Sequence, residues 1–230
     1  MRKNGIIIAI DGPAGGGKSS VGKIVAEKIG YKFISSGKMY RAIAWLCVKK
    51  EVNIDDEEKV LEIARTNPIS FKENSGVEPL LLISNTVLDK ELYDENIAAA
   101  TSKIARMLNL RNFLVEEQRR LGRDGGIIME GRDITTNVFP DAELKIYLDA
   151  SAQARAERRV AQLREKGMEA NYREILDMII KRDEQDAKRK HNPLKKSEDS
   201  HYIDSTNMKK EDVVNLILKL YEQTLSKIKK

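Results

Sequence analysis

The sequence predicts an α/β fold: a parallel five-stranded sheet covered by helices on both faces, with a small antiparallel β insert. Three observations lead there. Apolar runs of strand length alternate along the chain with segments whose apolar residues recur at helical spacing. The strand-like runs are nearly continuous in apolar residues, as strands buried on both faces must be. The polar segments Gly12–Ser19, Ser36–Arg41 and Gly131–Asp133 each follow such a run, where the loops of an open parallel sheet gather ligands.

The elements follow in order. Ile6, Ile7, Ile8 and Ile10 form a β-branched first strand, and Val21, Ile24, Val25, Lys28 and Ile29 mark the helix after it. Tyr31–Ser35 is a short second strand, and Lys38–Lys50 is a helix carrying Trp45. Asp55, Asp56, Glu57 and Glu58 put acids at the positive end of the next helix, whose apolar face is Val60, Leu61, Ile63 and Ala64. Residues 66–92 break the rhythm. There Pro68–Lys72, Pro79–Ile83 and Thr86–Leu88 are short runs separated by Asn74–Gly76 and by Ser84 and Asn85, which predicts an antiparallel meander. A long helical region, Asn96–Leu121, precedes two buried strands, Gly126–Glu130 and Glu143–Leu148. Ser151–Lys166 is a charged helix stopped by Gly167, and Tyr172–Arg189 is another. His201–Asp204 is the last strand. Ser205, Thr206 and Asn207 are expected to cap a final helix with apolar positions Val213, Val214, Ile217, Leu220, Tyr221 and Ile228.

The first loop carries the chemistry. Gly12, Pro13, Ala14, Gly15, Gly16, Gly17, Lys18 and Ser19 read G-x-x-x-x-G-K-S between a strand and a helix, the P-loop pattern. Its glycines let the backbone curl and turn N–H groups inward, and the following helix adds the positive end of its dipole. Lys18 supplies a point charge for the β- and γ-phosphates of ATP. A hydroxyl at Ser19, with Ser20 beside it, is placed to ligate Mg²⁺.

Composition narrows the partners. The 230 residues suit one α/β domain, and no apolar run approaches the ~20 residues that span a bilayer. Met1, Arg2, Lys3 and Asn4 lead into the first strand with no signal-peptide pattern. The single cysteine, Cys47, lies in the apolar stretch Ala42–Val48 and reads as a core thiol, so a cytoplasmic location is expected. The net charge of +5 comes with 5% aromatics and no aromatic-rich basic stripe. That favours small anionic substrates over nucleic acid, and no membrane partner is expected. Lys227, Lys229 and Lys230 read as a solvated helix end. With no heptad pattern, a monomer is expected.

Arginine placement says what faces the triphosphate. Donor and acceptor phosphates repel and must still approach within bonding reach, a task for always-charged, bidentate guanidiniums. Arg41 and Arg132 sit at predicted strand ends, Arg111 in the long helical region, Arg155, Arg158 and Arg159 on one charged helix, and Arg182 and Arg189 on the next. Arg164 and Arg173 read instead as partners of neighbouring acids on solvated helices. His191 and His201 read as structural or surface residues.

Three segments are more specific than the P-loop: Ser36-Gly37-Lys38-Met39-Tyr40-Arg41, Gly131-Arg132-Asp133 followed by Val138–Ala142, and Arg182 with Asp183 and Asp186. With them the chain resembles the bacterial cytidylate kinases, a family of nucleoside-monophosphate kinases, from Ile6 to Thr206. The resemblance implies a P-loop three-layer αβα fold in a single domain over 1–230. Its core would be 1–65, 93–150 and 190–230, with a monophosphate-binding insert at about 66–92 and a short helical lid at about 151–168. It implies ATP-dependent phosphorylation of CMP and dCMP in pyrimidine metabolism, with Mg²⁺. Arg41 and Arg132 would bind the acceptor phosphate, and Ser36, Ser102, Arg111 and Asp133 would line the base pocket. Arg182 and Asp186 would hold the ribose and phosphate end. Tyr40 and Arg189 belong to the same substrate set, and Arg155, Arg158 and Arg159 to the lid.

Base chemistry bears on Asp133. Its carboxylate can accept from the N4 amine of cytosine, whereas uracil presents an O4 acceptor, a mismatch of ~1–3 kcal/mol by analogy with base readout on duplexes. A structural ion pair of Asp133 with Arg132 or another arginine stays open. So does an enzyme acting on UMP or another monophosphate. A nucleic-acid-dependent P-loop ATPase is the rival of a different class. Against switch proteins stands the lack of an Asn-Lys-x-Asp signature, and the run before Glu130 lacks the usual Walker-B aspartate.

Overall fold

The computed structural model describes residues 2–165 and 167–228. Met1, Lys166, Lys229 and Lys230, all read above as parts of terminal or helical segments, lie outside the described residues. A five-stranded parallel sheet has the order β2-β6-β1-β7-β8, from β1 (Ile7–Asp11), β2 (Lys32–Ser35), β6 (Ile127–Gly131), β7 (Leu144–Asp149) and β8 (His201–Asp204). Every residue of β1 and β6 is buried, which is why these strands read as continuous apolar runs.

Helices cover both faces. On one, α1 (Lys18–Ile29) and α8 (Lys210–Ile228) pack Val21, Val25, Val213 and Ile217 onto Ile6, Ile8, Ile10 and Ile146. On the other, Val115 of α5 (Leu108–Gly122) meets Ile7, Ala9, Met129 and Phe139. A separate apolar cluster unites α2 (Ser36–Lys49), α3 (Glu57–Thr66) and α4 (Glu95–Ile104) with the insert. That insert is an antiparallel sheet of β3 (Ile69–Lys72), β4 (Leu80–Ile83) and β5 (Thr86–Leu88), as the meander pattern predicts. Ser84 and Asn85 turn its second hairpin with φ of 48° and 63°, the two positive values a two-residue type I′ turn demands. The last unit is a hairpin of α6 (Ala152–Glu165) and α7 (Tyr172–Ala187), closed by its own small cluster of Ala156, Val160 and Ile175. Among the described residues no helix is long and apolar enough to cross a membrane. Cys47 is buried, and burial pushes its thiol up to about 11, as befits an inert core group.

Two local expectations are corrected. The helical region Asn96–Leu121 is two helices, because the Arg111 guanidinium takes the Ala105 carbonyl at 3.1 Å and the chain turns at residues 105–107. Ser205 and Thr206 do not cap α8, which starts at Lys210. They tie β8 to the end of β7 instead: the Ser205 amide and hydroxyl donate to the Asp149 carbonyl at 2.8 and 2.9 Å, and Thr206 Oγ1 accepts from the Ser151 amide at 2.9 Å.

Candidate active site

The site lies at the carboxyl ends of β1, β6 and β7. On its donor side Gly12 (φ 149°) and Gly17 (φ 88°) adopt backbone that favours glycine. A Cβ on Gly12 would fall 2.0 Å from the Leu148 carbonyl oxygen, so the loop can cross the end of β7 only without a side chain. Lys18 is buried and folds back on its loop, its Nζ donating to the Gly12 and Pro13 carbonyls at 2.9 and 2.7 Å. Burial first, and then the Arg132 charge, lower its pKa to about 7. Gly15, Gly16, Gly17 and Ser20 form one wall of a cavity of about 370 Å³. Arg158 and Met208 also line it.

The two candidate hydroxyls part here. Ser20 faces that cavity, whereas Ser19 Oγ donates to Glu130 Oε1 at 3.1 Å. Ser35 Oγ donates to the same oxygen at 2.6 Å. Hydroxyl and carboxylate thus sit together beside the loop, an all-oxygen donor set of the kind Mg²⁺ takes. Glu130 was passed over in the sequence for want of an aspartate. Its signal was a lone acid ending the apolar run Ile127, Ile128, Met129.

The side of the site facing the P-loop is built from side chains drawn together by the fold. Asp186 is shared by two guanidiniums: Arg132 Nε donates to Oδ2 at 2.8 Å, and Arg189 reaches Oδ1. Burial alone would raise Asp186, but Arg132 and Arg189 outweigh it and hold the carboxyl below its ordinary value. Burial and the charges of Arg132, Arg41 and Arg189 depress Arg182. Three guanidiniums, Arg132, Arg182 and Arg189, therefore act on the Asp186 carboxylate, an arrangement suited to holding an anion. Arg41 donates to the Leu92 carbonyl at 2.6 Å and lies 5.8 Å from the Tyr93 ring centre.

Deeper in, Asp133 Oδ2 accepts from Arg111 at 2.6 Å and from Asn137 Nδ2 at 3.0 Å, and no hydrogen bond engages Oδ1 within the described protein. The ion pair left open in the sequence is thus with Arg111, not Arg132. Arg111 lies 5.8 Å from the ring centre of buried Tyr40. Ser36 opens α2 against Gly131, where a Cβ would come within 2.6 Å of its Oγ. Ser102 stands apart: it is exposed on α4 and donates to the Ala98 carbonyl at 3.2 Å. The three arginines of α6 also differ among themselves. Arg155 is buried and locked, donating to Ala150 and Ala14 carbonyls at 2.9 Å each and pairing with Asp183. Arg158 donates to the Ser205 carbonyl at 2.5 Å on the donor side, and Arg159 is exposed.

A family model described as cytidylate kinase matches residues 8–223. The chain belongs to the cytidylate kinase family. It is 39% identical to a cytidylate kinase of Geobacter sp. over 98% of this chain and 97% of that protein. It is 41% identical to a cytidylate kinase of Caldicellulosiruptor saccharolyticus over 96% of this chain and 97% of that protein. A bifunctional pantoate ligase/cytidylate kinase of Prochlorococcus marinus is 40% identical over 99% of this chain, which spans only 45% of that longer protein.

Within this cytidylate kinase fold, two further residues escaped the sequence reading. Asp11 accepts from the π-helical turn Ile134–Val138 that follows Asp133, and Asn137, within that turn, donates back to Asp133. Nothing in the local sequence announces such a turn.

Proposed function

We propose that the protein transfers the terminal phosphoryl group of ATP directly to CMP and dCMP, giving ADP and the nucleoside diphosphate, with no covalent enzyme intermediate. Family membership supports the kinase reaction and CMP as acceptor. The observation that carries the reading is the closeness of the two halves of the site: Lys18 Nζ of the P-loop lies 4.0 Å from Glu130 Oε2, two residues before Arg132.

Each residue has a task. The loop Gly12–Ser20 cradles the donor phosphates, and Lys18 turns from its loop carbonyls to the β- and γ-phosphates. Ser19, with Glu130 beside it, would hold a Mg²⁺ arriving with ATP, which would screen phosphate charge. Arg41 and Arg132 fix the attacking phosphate oxygen, which is already largely ionised near neutral pH, so no strong general base is required. Arg182, Asp186 and Arg189 hold the acceptor's ribose and phosphate end. The free Oδ1 of Asp133 takes the N4 amine of cytosine while Arg111 and Asn137 hold Oδ2; Ser36, Tyr40 and Ser102 complete the pocket.

Residues 151–168 would form the lid, with Arg155, Arg158 and Arg159 neutralising the migrating group, and residues 66–92 the monophosphate-binding insert. Closure with both substrates bound would suppress hydrolysis by water. A monomer in a reducing cytoplasm, serving pyrimidine metabolism, belongs to the same reading.

The test is an ADP-release assay across CMP, dCMP, UMP and AMP. CMP and dCMP should be the best acceptors and UMP ~10-fold or more poorer in kcat/KM. Equal rates with UMP or AMP, or comparable ADP release with no acceptor, would contradict the reading.

A further inference from the structure

Asp11 ends β1, directly before the first glycine of the donor loop, yet its carboxylate turns toward the acceptor side. It is fully buried. Oδ1 accepts from the Ile134 amide at 2.8 Å, and Oδ2 accepts from both the Thr135 amide and Thr135 Oγ1 at 2.7 Å. These three donors open the π-helical turn that follows Asp133. No salt bridge reaches Asp11 among the described residues, and burial pushes its acid up to about 6 in spite of the three bonds.

A buried acid at that cost calls for a task that neither an amide nor an apolar side chain would perform. An apolar residue would leave two buried amides unpaired. Asparagine has one acceptor oxygen and would turn its NH₂ against a donor. Only a carboxylate satisfies all three donors from one side chain, and in doing so it ties the turn to the root of the P-loop. The same turn is gripped from its far end by Arg119, which donates to the Asn137 and Val138 carbonyls at 2.7 and 3.0 Å. Asp133 directly precedes the clamped amides, and Asn137, gripped by Arg119, is bonded to it.

We propose that Asp11 is a positioning residue that holds Asp133 in register with the donor loop, so that selection of the acceptor base depends on a side chain that touches neither substrate. The inference rests on the reading of Asp133 as the base-recognising group.

The test compares Asp11→Asn, Thr135→Val, Thr135→Ser and Asp133→Asn with the parent enzyme. KM and kcat are measured for ATP, CMP and UMP, and thermal melts check that each variant folds. In Asp11→Asn, KM for CMP should rise ~10-fold or more, KM for ATP should move less than ~3-fold, and the CMP-to-UMP ratio of kcat/KM should narrow. Thr135→Val, which loses only the hydroxyl bond, should shift KM for CMP in the same direction by ~3-fold, and Thr135→Ser should restore it. Should Asp11→Asn not fold, the Thr135 pair decides alone.

Unchanged KM for CMP in Thr135→Val overturns the proposal. So does an Asp11→Asn enzyme whose KM values for ATP and CMP rise together, the mark of general loosening. The underlying reading fails separately, by an unchanged CMP-to-UMP ratio in Asp133→Asn.

Discussion

The two halves of the site are made of different material. The donor half is backbone: one contiguous loop whose shape needs glycine at Gly12 and Gly17, with a single lysine folded onto its own carbonyls. The half proposed to take the acceptor is side chain: Ser36, Tyr40, Arg41, Arg111, Arg132, Asp133, Arg182, Asp186 and Arg189, brought from three helices, the segment after β6 and the chain that follows α7. It keeps itself together through ion pairs, Arg111 with Asp133, and Arg132 and Arg189 with Asp186. A backbone cradle suits a ligand that every member of a large class shares, because polyphosphate has no feature for side chains to discriminate. A side-chain pocket suits the ligand that must be told from its relatives. Its buried pairs cost desolvation, and removing one partner of such a pair typically costs about 3–5 kcal/mol. The acceptor half should therefore be the more fragile one.

The sharpest way to break the comparison is at the donor lysine. Lys18→Met should lower kcat by ~10³-fold or more, since nothing else in the loop replaces its charge. The fold should survive, because Lys18 Nζ hydrogen-bonds only the carbonyls of Gly12 and Pro13, and its approach to Glu130 Oε2 is a long one of 4.0 Å. Turnover measured alongside a thermal melt decides. A small kinetic effect would mean that the loop backbone suffices.

Next comes Arg132→Ala, which should cost ~10²-fold in kcat/KM for CMP with little change in KM for ATP, and should lower thermal stability by freeing Asp186. Equal rises in both KM values would erase the division into halves.

The smallest effect is a proton. With Lys18 lowered to about 7, part of the unliganded enzyme carries a neutral amine above that pH. The triphosphate binds the ammonium form, so ATP binding should take up a proton at about pH 8, and affinity should fall by up to ~10-fold per pH unit above about 7. Calorimetry in buffers of different ionisation enthalpy measures the uptake. Its absence would show that Lys18 is already charged before ATP arrives.

How much was legible in the sequence follows the same division. The donor loop is eight consecutive residues whose pattern states its own geometry. The sheet was readable because strands buried on both faces cannot hide their composition. On the acceptor side the arginines were visible as residue types at strand ends, yet their partners were not. Asp186 pairs with Arg132 across 54 residues, and Arg111 with Asp133 across 22. The break between α4 and α5 was hidden because no glycine or proline marks residues 105–107, where the Ala105 carbonyl accepts from Arg111 six residues on. Glu130 was visible and discounted, since the pattern sought an aspartate where a glutamate stands. Asp11 looked like the end of a strand and is also a clamp on a turn that no propensity foretells.

The most direct measurement is a crystal structure with ADP, Mg²⁺ and CMP. It should place the CMP phosphate within ~3 Å of the Arg41 and Arg132 guanidiniums, with the cytosine N4 amine on the free oxygen of Asp133. A CMP bound elsewhere, with Arg41 and Arg132 out of reach of its phosphate, would contradict the account.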